Sequence, residues 1–172
     1  MRSHNTEAVN IKNMKPLIQM NIDNLEKWHF ELTEEACDHL LELVLAGKKR
    51  ATSSSLEAYA LSGENVPKAG DMSVITDWKG NPRCVIRTTR VRILPYKYIT
   101  FDLAELEGED ETLESWRKNH ERFFCEEGKE LGYRFSEDMK VIFEEFEIVE
   151  YLSITSSAFI SSSTETAECR VC

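Results

Sequence analysis

Leu45-Ala46-Gly47-Lys48-Lys49-Arg50-Ala51-Thr52-Ser53-Ser54-Ser55 divides a helical pattern from everything that follows it. Upstream, Thr33 is a good N-cap, and Glu34 and Glu35 sit in the first turn, where the helix dipole favours acids. Ala36, Cys37, Leu40, Leu41, Val44 and Leu45 then repeat at helical spacing and give one buried stripe. Gly47 supplies the left-handed stop, and Lys48, Lys49 and Arg50 complement the carbonyl end. Downstream, Ser54-Ser55-Leu56-Glu57 is a capping-box pattern. It predicts a second helix from about Ser55 to Leu61 with Leu56, Tyr59 and Ala60 as its stripe, stopped by Gly63. Thr52 and Ser53 fall in the connection. Helix ends alone do not require so many cations and hydroxyls in one turn, so chemistry is sought here first.

Beyond the second helix the period changes. Pro67-Lys68-Ala69-Gly70-Asp71 is a turn cluster, and Met72 to Trp78 reads as a strand. Lys79-Gly80-Asn81-Pro82 turns the chain into a longer strand from Arg83 to Leu94, which predicts a hairpin. Val85, Arg87, Thr89 and Val91 share one face of that strand, and neither face is cleanly apolar. Pro95 ends it, with Tyr96 to Ile99 as a brief extension. The run from Ala104 to Glu111 reads as an acidic loop. Thr112 caps a helix through Leu113, Trp116, His120, Phe123 and Phe124, declining at Gly128 or Gly132. Met139 to Leu152 is a last strand whose apolar parity breaks between Phe143 and Phe146; a bulge near Glu144-Glu145 would return Val141, Phe143, Phe146 and Ile148 to one face.

Helices, hairpin, helix and strand in that order make an α+β fold with a small curved sheet or barrel. At the N-terminal end, residues 1–19 read as a loose leader. Ile22, Leu25, Trp28 and His29 suggest a short helix or ordered arm, so the N-terminal region is expected to be helical. One domain is expected over residues 20–152, followed by a flexible Ser/Thr-rich tail over 153–172.

Composition restricts the function. The chain has 172 residues, 41% of them hydrophobic, which suffices for a core. No run approaches the apolar length of a membrane span, and no secretory signal is visible, so a cytoplasmic address is expected. Five Cys suit that address: Cys37, Cys84 and Cys125 read as isolated core thiols, and Cys169 and Cys172 as a C-x-x-C in the tail, without a second pair to make a metal site. A net charge of −10 argues against a long nucleic-acid footprint and favours a local basic pocket or a nucleoside-sized ligand. No phosphate-binding loop, dinucleotide fingerprint, nucleophile elbow or metal cluster is present, and neither a cofactor nor a metal is expected.

Lys49 and Thr52, three apart, are placed on one side if the turn is helical. A desolvated lysine of lowered pKa could then act as base on the hydroxyl. Set against this, a cation at a helix end and a hydroxyl near the next cap are common. Glu107 and Glu109 flank Gly108 and could present a carboxylate, or form part of a solvated charge run. Arg87 either meets a ligand inside the barrel or pairs with one of the many glutamates. His120 reads as a core residue beside Trp116 and Phe123, and His29 and His39 lack metal-like partners.

Leu45 to Thr52, Pro67 to Asp71, Cys84 to Thr89, Glu105 to Glu109 and Trp116 to Phe124, in that order, resemble an ASCH domain over about residues 25–150. ASCH domains are PUA-related small β-barrels, and the chain is most similar to their longer bacterial branch. The resemblance implies a cleft between strands and early helices, in a family suspected of binding RNA or modified nucleotides. A small bacterial relative is an amidohydrolase that removes acetyl from acetylated cytidine with Lys, Thr and Glu. By motif match these fall on Lys49, Thr52 and Glu107, with Glu109 as the alternative carboxylate. Arg50 stands where that relative has Thr, and the acidic loop is longer here. The implied site therefore has Lys49, Thr52 and Glu107 as catalytic residues, with Arg87, Lys48, Arg50 and Glu109 against a small nucleoside-like substrate. Some family members are instead ribonucleases, and short single-stranded RNA bound in the same cleft is the alternative partner.

Overall fold

The computed structural model describes residues 21–153. The expected leader, the tail beyond Ser153 and its C-x-x-C lie outside these residues. In chain order the elements are β1 (Glu26–Trp28), α1 (Glu34–Leu45), β2 (Ala51–Ser55), α2 (Leu56–Ser62), β3 (Met72–Thr76), β4 (Pro82–Pro95), a 3-10 turn (Tyr96–Tyr98), α3 (Phe101–Glu107), α4 (Leu113–Leu131) and β5 (Lys140–Tyr151). The strands form one curled mixed sheet in the order β1-β3-β4-β5-β2, a half-barrel with the four helices alongside. β1 runs parallel to β3; all other pairs are antiparallel.

Local chemistry accounts for α1, α2 and α4. The hydroxyls of Thr33, Ser55 and Thr112 accept from the backbone N–H groups of Ala36, Ala58 and Ser115, as N-caps do. Gly47, Gly63 and Gly132 terminate these helices. The β3–β4 hairpin is also as expected.

Three segments differ from the sequence reading. The expected N-terminal helix is the strand β1: pairing with β3 from Glu26↔Ser73 to Trp28↔Ile75 overrides the helical spacing. Trp28 is sealed in the core, its indole N–H donating to Ser73 Oγ at 2.9 Å. Thr52 and Ser53 are not in a connection but in β2, all five residues of which are buried. Its hydroxyl-rich sequence is tolerated because the backbone pairs with β5 from Ala51↔Glu145 to Ser55↔Val141. The acidic loop begins as a helix, α3, because Leu103, Ala104 and Leu106 pack into the core while Glu105 faces water.

The parity break in β5 is real, but its cause differs. Thr88 pairs with Phe146 and Arg90 with Glu145, so the extra residue is Thr89 of β4, not one of β5. The four apolar residues do not return to one face. Val141 and Phe143 join a core with Trp116, Phe123 and Phe124, whereas Phe146 and Ile148 join a second core with Trp28, Leu41, Val44 and Ile86. The curled sheet buries both faces, one under α2–α4 and the other under α1.

α4 also buries Glu127, which accepts from the Tyr133 hydroxyl while its Oε1 has no hydrogen-bond partner. Burial, outweighing the Tyr133 bond, pushes its pKa from 4.5 up to about 8. The native state therefore holds a proton that the unfolded chain releases above 4.5, and stability falls as pH rises from there towards 8. Glu127→Gln copies the protonated form. Urea unfolding at pH about 6 and about 9 is expected to show a midpoint that drops for the parent and stays flatter for the variant, a difference on the order of a few kcal/mol.

Candidate active site

The turn after α1 delivers Lys49 to the interior. The N–H groups of Lys48 and Lys49 both donate to Leu43 O, at 2.9 and 3.1 Å, which closes the helix end tightly. The Arg50 N–H donates to Leu106 O at 2.8 Å, and Arg50 O accepts from Phe146 N at 2.9 Å. Residues 48–50 are thus held between the end of α3 and β5. Lys48 and Arg50 point outward and are exposed; Lys49, between them, is only 2% exposed.

Gly108 makes the close approach of α3 possible. It has φ of 68°, and a Cβ there would lie 2.5 Å from Lys48 O and 3.1 Å from Lys49 N. Both the dihedral and the backbone contact exclude a side chain. Gly108→Ala is expected to cost about 2–4 kcal/mol in urea unfolding, since neither backbone can yield without moving Lys49.

Glu107, the last residue of α3, is 1% exposed and central to the site. Its Oε1 accepts from the Ser53 hydroxyl at 2.7 Å and the Trp116 indole N–H at 3.0 Å. Its Oε2 lies 3.3 Å from both Lys49 Nζ and His120 Nε2. Four donors converge on one carboxylate. Glu109, beyond Gly108 and half-buried, accepts a second bond from Lys49. The Lys49 ammonium also lies over the Phe30 ring, 5.2 Å from its centroid.

His120 follows Trp116 by one turn of α4, and their rings stack at 3.9 Å. Its Nδ1 faces Trp116 O at 3.0 Å while Nε2 faces the Glu107 carboxylate. Both partners only accept, so the doubly protonated ring satisfies both. Charge arguments agree. Burial would lower the His120 pKa, but Glu107 raises it further than that. Burial also opposes ionisation of Glu107, yet His120 and Lys49 hold it down to about 2. At Lys49, burial is outweighed by Glu109 and Glu107, and the pKa is raised. Lys49 therefore rests as an ammonium, not as the deprotonated base that its position in the sequence suggested.

These groups line a cavity of about 30 Å³ together with Thr52, walled by Phe30, Leu40 and Phe123 and bordered by Glu31 and Asn119. The Thr52 hydroxyl makes no side-chain hydrogen bond. The space holds one or two waters, so a larger ligand requires the wall to move. Glu31, in that wall, is the one non-glycine residue at positive φ (61°) among the described residues, and it pairs with Arg122 at 3.4 Å.

Lys49, Thr52, Glu107 and Glu109 are thus brought together, although the turn is not helical at Thr52. Lys48 and Arg50 lie outside the cavity. Arg87 is exposed and bonded to Glu147, with Nε 3.0 Å from Oε1, which is the glutamate pairing rather than an interior ligand position. Arg87→Ala is expected to shift stability by less than about 0.5 kcal/mol and to leave any activity at this cavity unchanged. Ser53, Trp116 and His120 were not expected as site residues. The i, i+4 pair of an indole and an imidazole on an apolar stripe was the available signal, since both rings need polar partners when buried. Among the described residues no group of His, Cys, Asp and Glu is arranged to hold a metal ion.

The model of the ASCH domain matches residues 26–150. The chain belongs to the ASCH domain family. An ASCH domain of Lactobacillus crispatus is similar at 35% identity, covering 74% of this chain and 80% of that one, with a TM-score of 0.69. A protein of Enterococcus faecalis is similar at 37% identity over 73% of this chain and 77% of that one, also at 0.69. A comparison with curated proteins returns no match. The half-barrel with flanking helices is the ASCH fold, and no helix among the described residues of this ASCH domain is long and apolar enough to cross a membrane.

Proposed function

We propose that this ASCH domain hydrolyses an acyl amide on a small nucleoside-like substrate, acetylated cytidine or a close analogue, at the Lys49–Thr52 cavity. The observation that carries the reading is a buried lysine ammonium lining the same cavity as a threonine hydroxyl without a hydrogen bond. Thr52 Oγ1 attacks the acyl carbon and gives up its hydroxyl proton, which it recovers when the ester breaks; the C–N bond breaks, and the leaving nitrogen takes a proton from the Lys49 ammonium. In the second half, water attacks the Thr52 ester and gives its proton to the Lys49 amine, which restores the ammonium. Glu107, its four acceptor positions filled, positions Lys49 and does not move protons. Glu109 holds the other side of the ammonium.

The resting ammonium makes Lys49 an acid first. A kcat that stays flat with pH from about 6 to 8 is therefore expected; a base drawn from a raised-pKa lysine would instead gain about tenfold per pH unit. Release of cytidine from acetylated cytidine by the parent, absent from Thr52→Ala, tests the reading. RNA binding in the same place is less well supported, since Lys48 and Arg50 are set against a net charge of −10.

A further inference from the structure

Attack by Thr52 needs an acceptor for its hydroxyl proton, and the cavity network does not offer one. Glu107 already accepts four bonds and Glu109 is engaged by Lys49. The sheet register supplies a third carboxylate. Thr52 lies directly opposite Glu144 across β2 and β5. The bond from Phe146 N to Arg50 O, two residues along, makes Thr52 and Glu144 a hydrogen-bonded pair, with Cα atoms about 5.5 Å apart and side chains on one face.

That face is interior. Glu144 is 1% exposed and Thr52 3%. Thr88, next to the Thr89 bulge of β4, donates its hydroxyl to Glu144 Oε1 at 2.6 Å and so fixes the carboxylate. Thr52 is therefore placed between the cavity on one side and a buried, oriented carboxylate on its own strand face. No hydrogen bond joins the two at rest. Rotation about χ1 of Thr52 would turn the hydroxyl across the strand pair.

We infer that Glu144 accepts the Thr52 proton as Thr52 attacks and returns it when the ester breaks. The inference rests on the acyl-transfer reading above. The protons balance: in the first half Thr52 loses one to Glu144 and the leaving amine gains one from Lys49. In the second half water gives one to Lys49, and Thr52 Oγ1 recovers the one on Glu144. Both residues end as they began, and the net change is one amide and one water converted to an acid and an amine.

The test uses the full chain with Glu144→Gln, Glu144→Asp and Thr52→Ala, assayed on acetylated cytidine and on p-nitrophenyl acetate. Glu144→Gln keeps the oxygen that Thr88 needs, so its urea midpoint should stay close to the parent value. A kcat lower by about 10²–10⁴ at nearly unchanged KM, with part of the rate restored in Glu144→Asp, supports the inference. A merely structural role would not separate kcat from KM and the midpoint in this way. Parent-like kcat in Glu144→Gln, with Thr52→Ala inactive, overturns the role of Glu144 and leaves the reading standing. Thr52→Ala equal to the parent on both substrates overturns both. If Glu144→Gln does not fold, Glu144→Asp decides: a kcat cut by tenfold or more supports the inference, and the parent rate overturns it.

Discussion

Lys49→Met is expected to lose activity by about 10³-fold or more and stability by about 3 kcal/mol. The two losses have separate causes. Activity goes because the ammonium that protonates the leaving nitrogen is gone, while the two ring protons of His120 are held by Trp116 O and the Glu107 carboxylate. Stability goes because the variant leaves two carboxylates without their shared cation. Glu107 keeps Ser53, Trp116 and His120, whereas Glu109, only 17% exposed at its side chain, loses the Lys49 ammonium. Methionine fills the space beside Phe30, so packing loss contributes little and the measured cost reads the charge imbalance. Added salt does not restore this cost as it would for a surface pair, because the groups are screened from solvent. Urea unfolding of parent and variant, with the release of cytidine assayed in parallel, checks both losses.

Glu107→Gln has the second large effect. The carboxamide presents two N–H donors where the carboxylate accepted four bonds, so donors face donors in a buried site. A cost of about 3–5 kcal/mol is expected. His120 reports the same change independently. With Glu107 gone, burial is no longer outweighed, and the imidazole pKa should drop from above its ordinary value of 6.5 to below it. NMR titration of the ring in parent and variant checks this directly.

The stability profile follows the signs. Glu107 has its pKa lowered from 4.5 to about 2, so its contribution is full above 4.5 and is lost as pH falls towards 2. His120 has its pKa raised, so its contribution is full below 6.5 and is lost as pH rises through the folded value. Together with the decline from Glu127, these place the stability maximum on the acid side of neutrality. Glu107→Gln should lose its own part of the acid limb and keep the part from Asp77, whose pKa is also lowered.

Most of the helices were legible because capping residues and apolar stripes are local. Thr33, Gly47, Ser55, Thr112 and Gly132 each act within one turn. β1 and β2 were not legible for the opposite reason. Three residues of β1 gain strand structure only from β3, which begins more than forty residues later. Ser53-Ser54-Ser55 has the composition of a turn and becomes a strand only because β5 lies beside it. α3 was hidden by its charge, since two leucines and an alanine on one side suffice to dock a short acidic helix. The β5 parity break pointed to an irregularity in the right place. The sequence of β5 alone could not assign the extra residue to β4, or reveal that both faces of the sheet are covered.

At the site, the motif match named Lys49, Thr52 and Glu107, and these do face one cavity. The protonation state of Lys49 was not legible, because it depends on two carboxylates brought in by α3 and the turn after it. His120 was visible as a buried polar residue, but its partner Glu107 stands on another helix. Arg87 illustrates the converse: an arginine on a strand becomes interior or exterior according to curvature that no local pattern encodes.

Intact-mass analysis of the parent, quenched during turnover of acetylated cytidine and followed by peptide mapping, tests the central claim most directly. One acetyl group is predicted on Thr52, present in the parent, absent in Thr52→Ala and not formed by Lys49→Met. Cytidine released at an undiminished rate by Thr52→Ala, or an acetyl group found elsewhere, would contradict it.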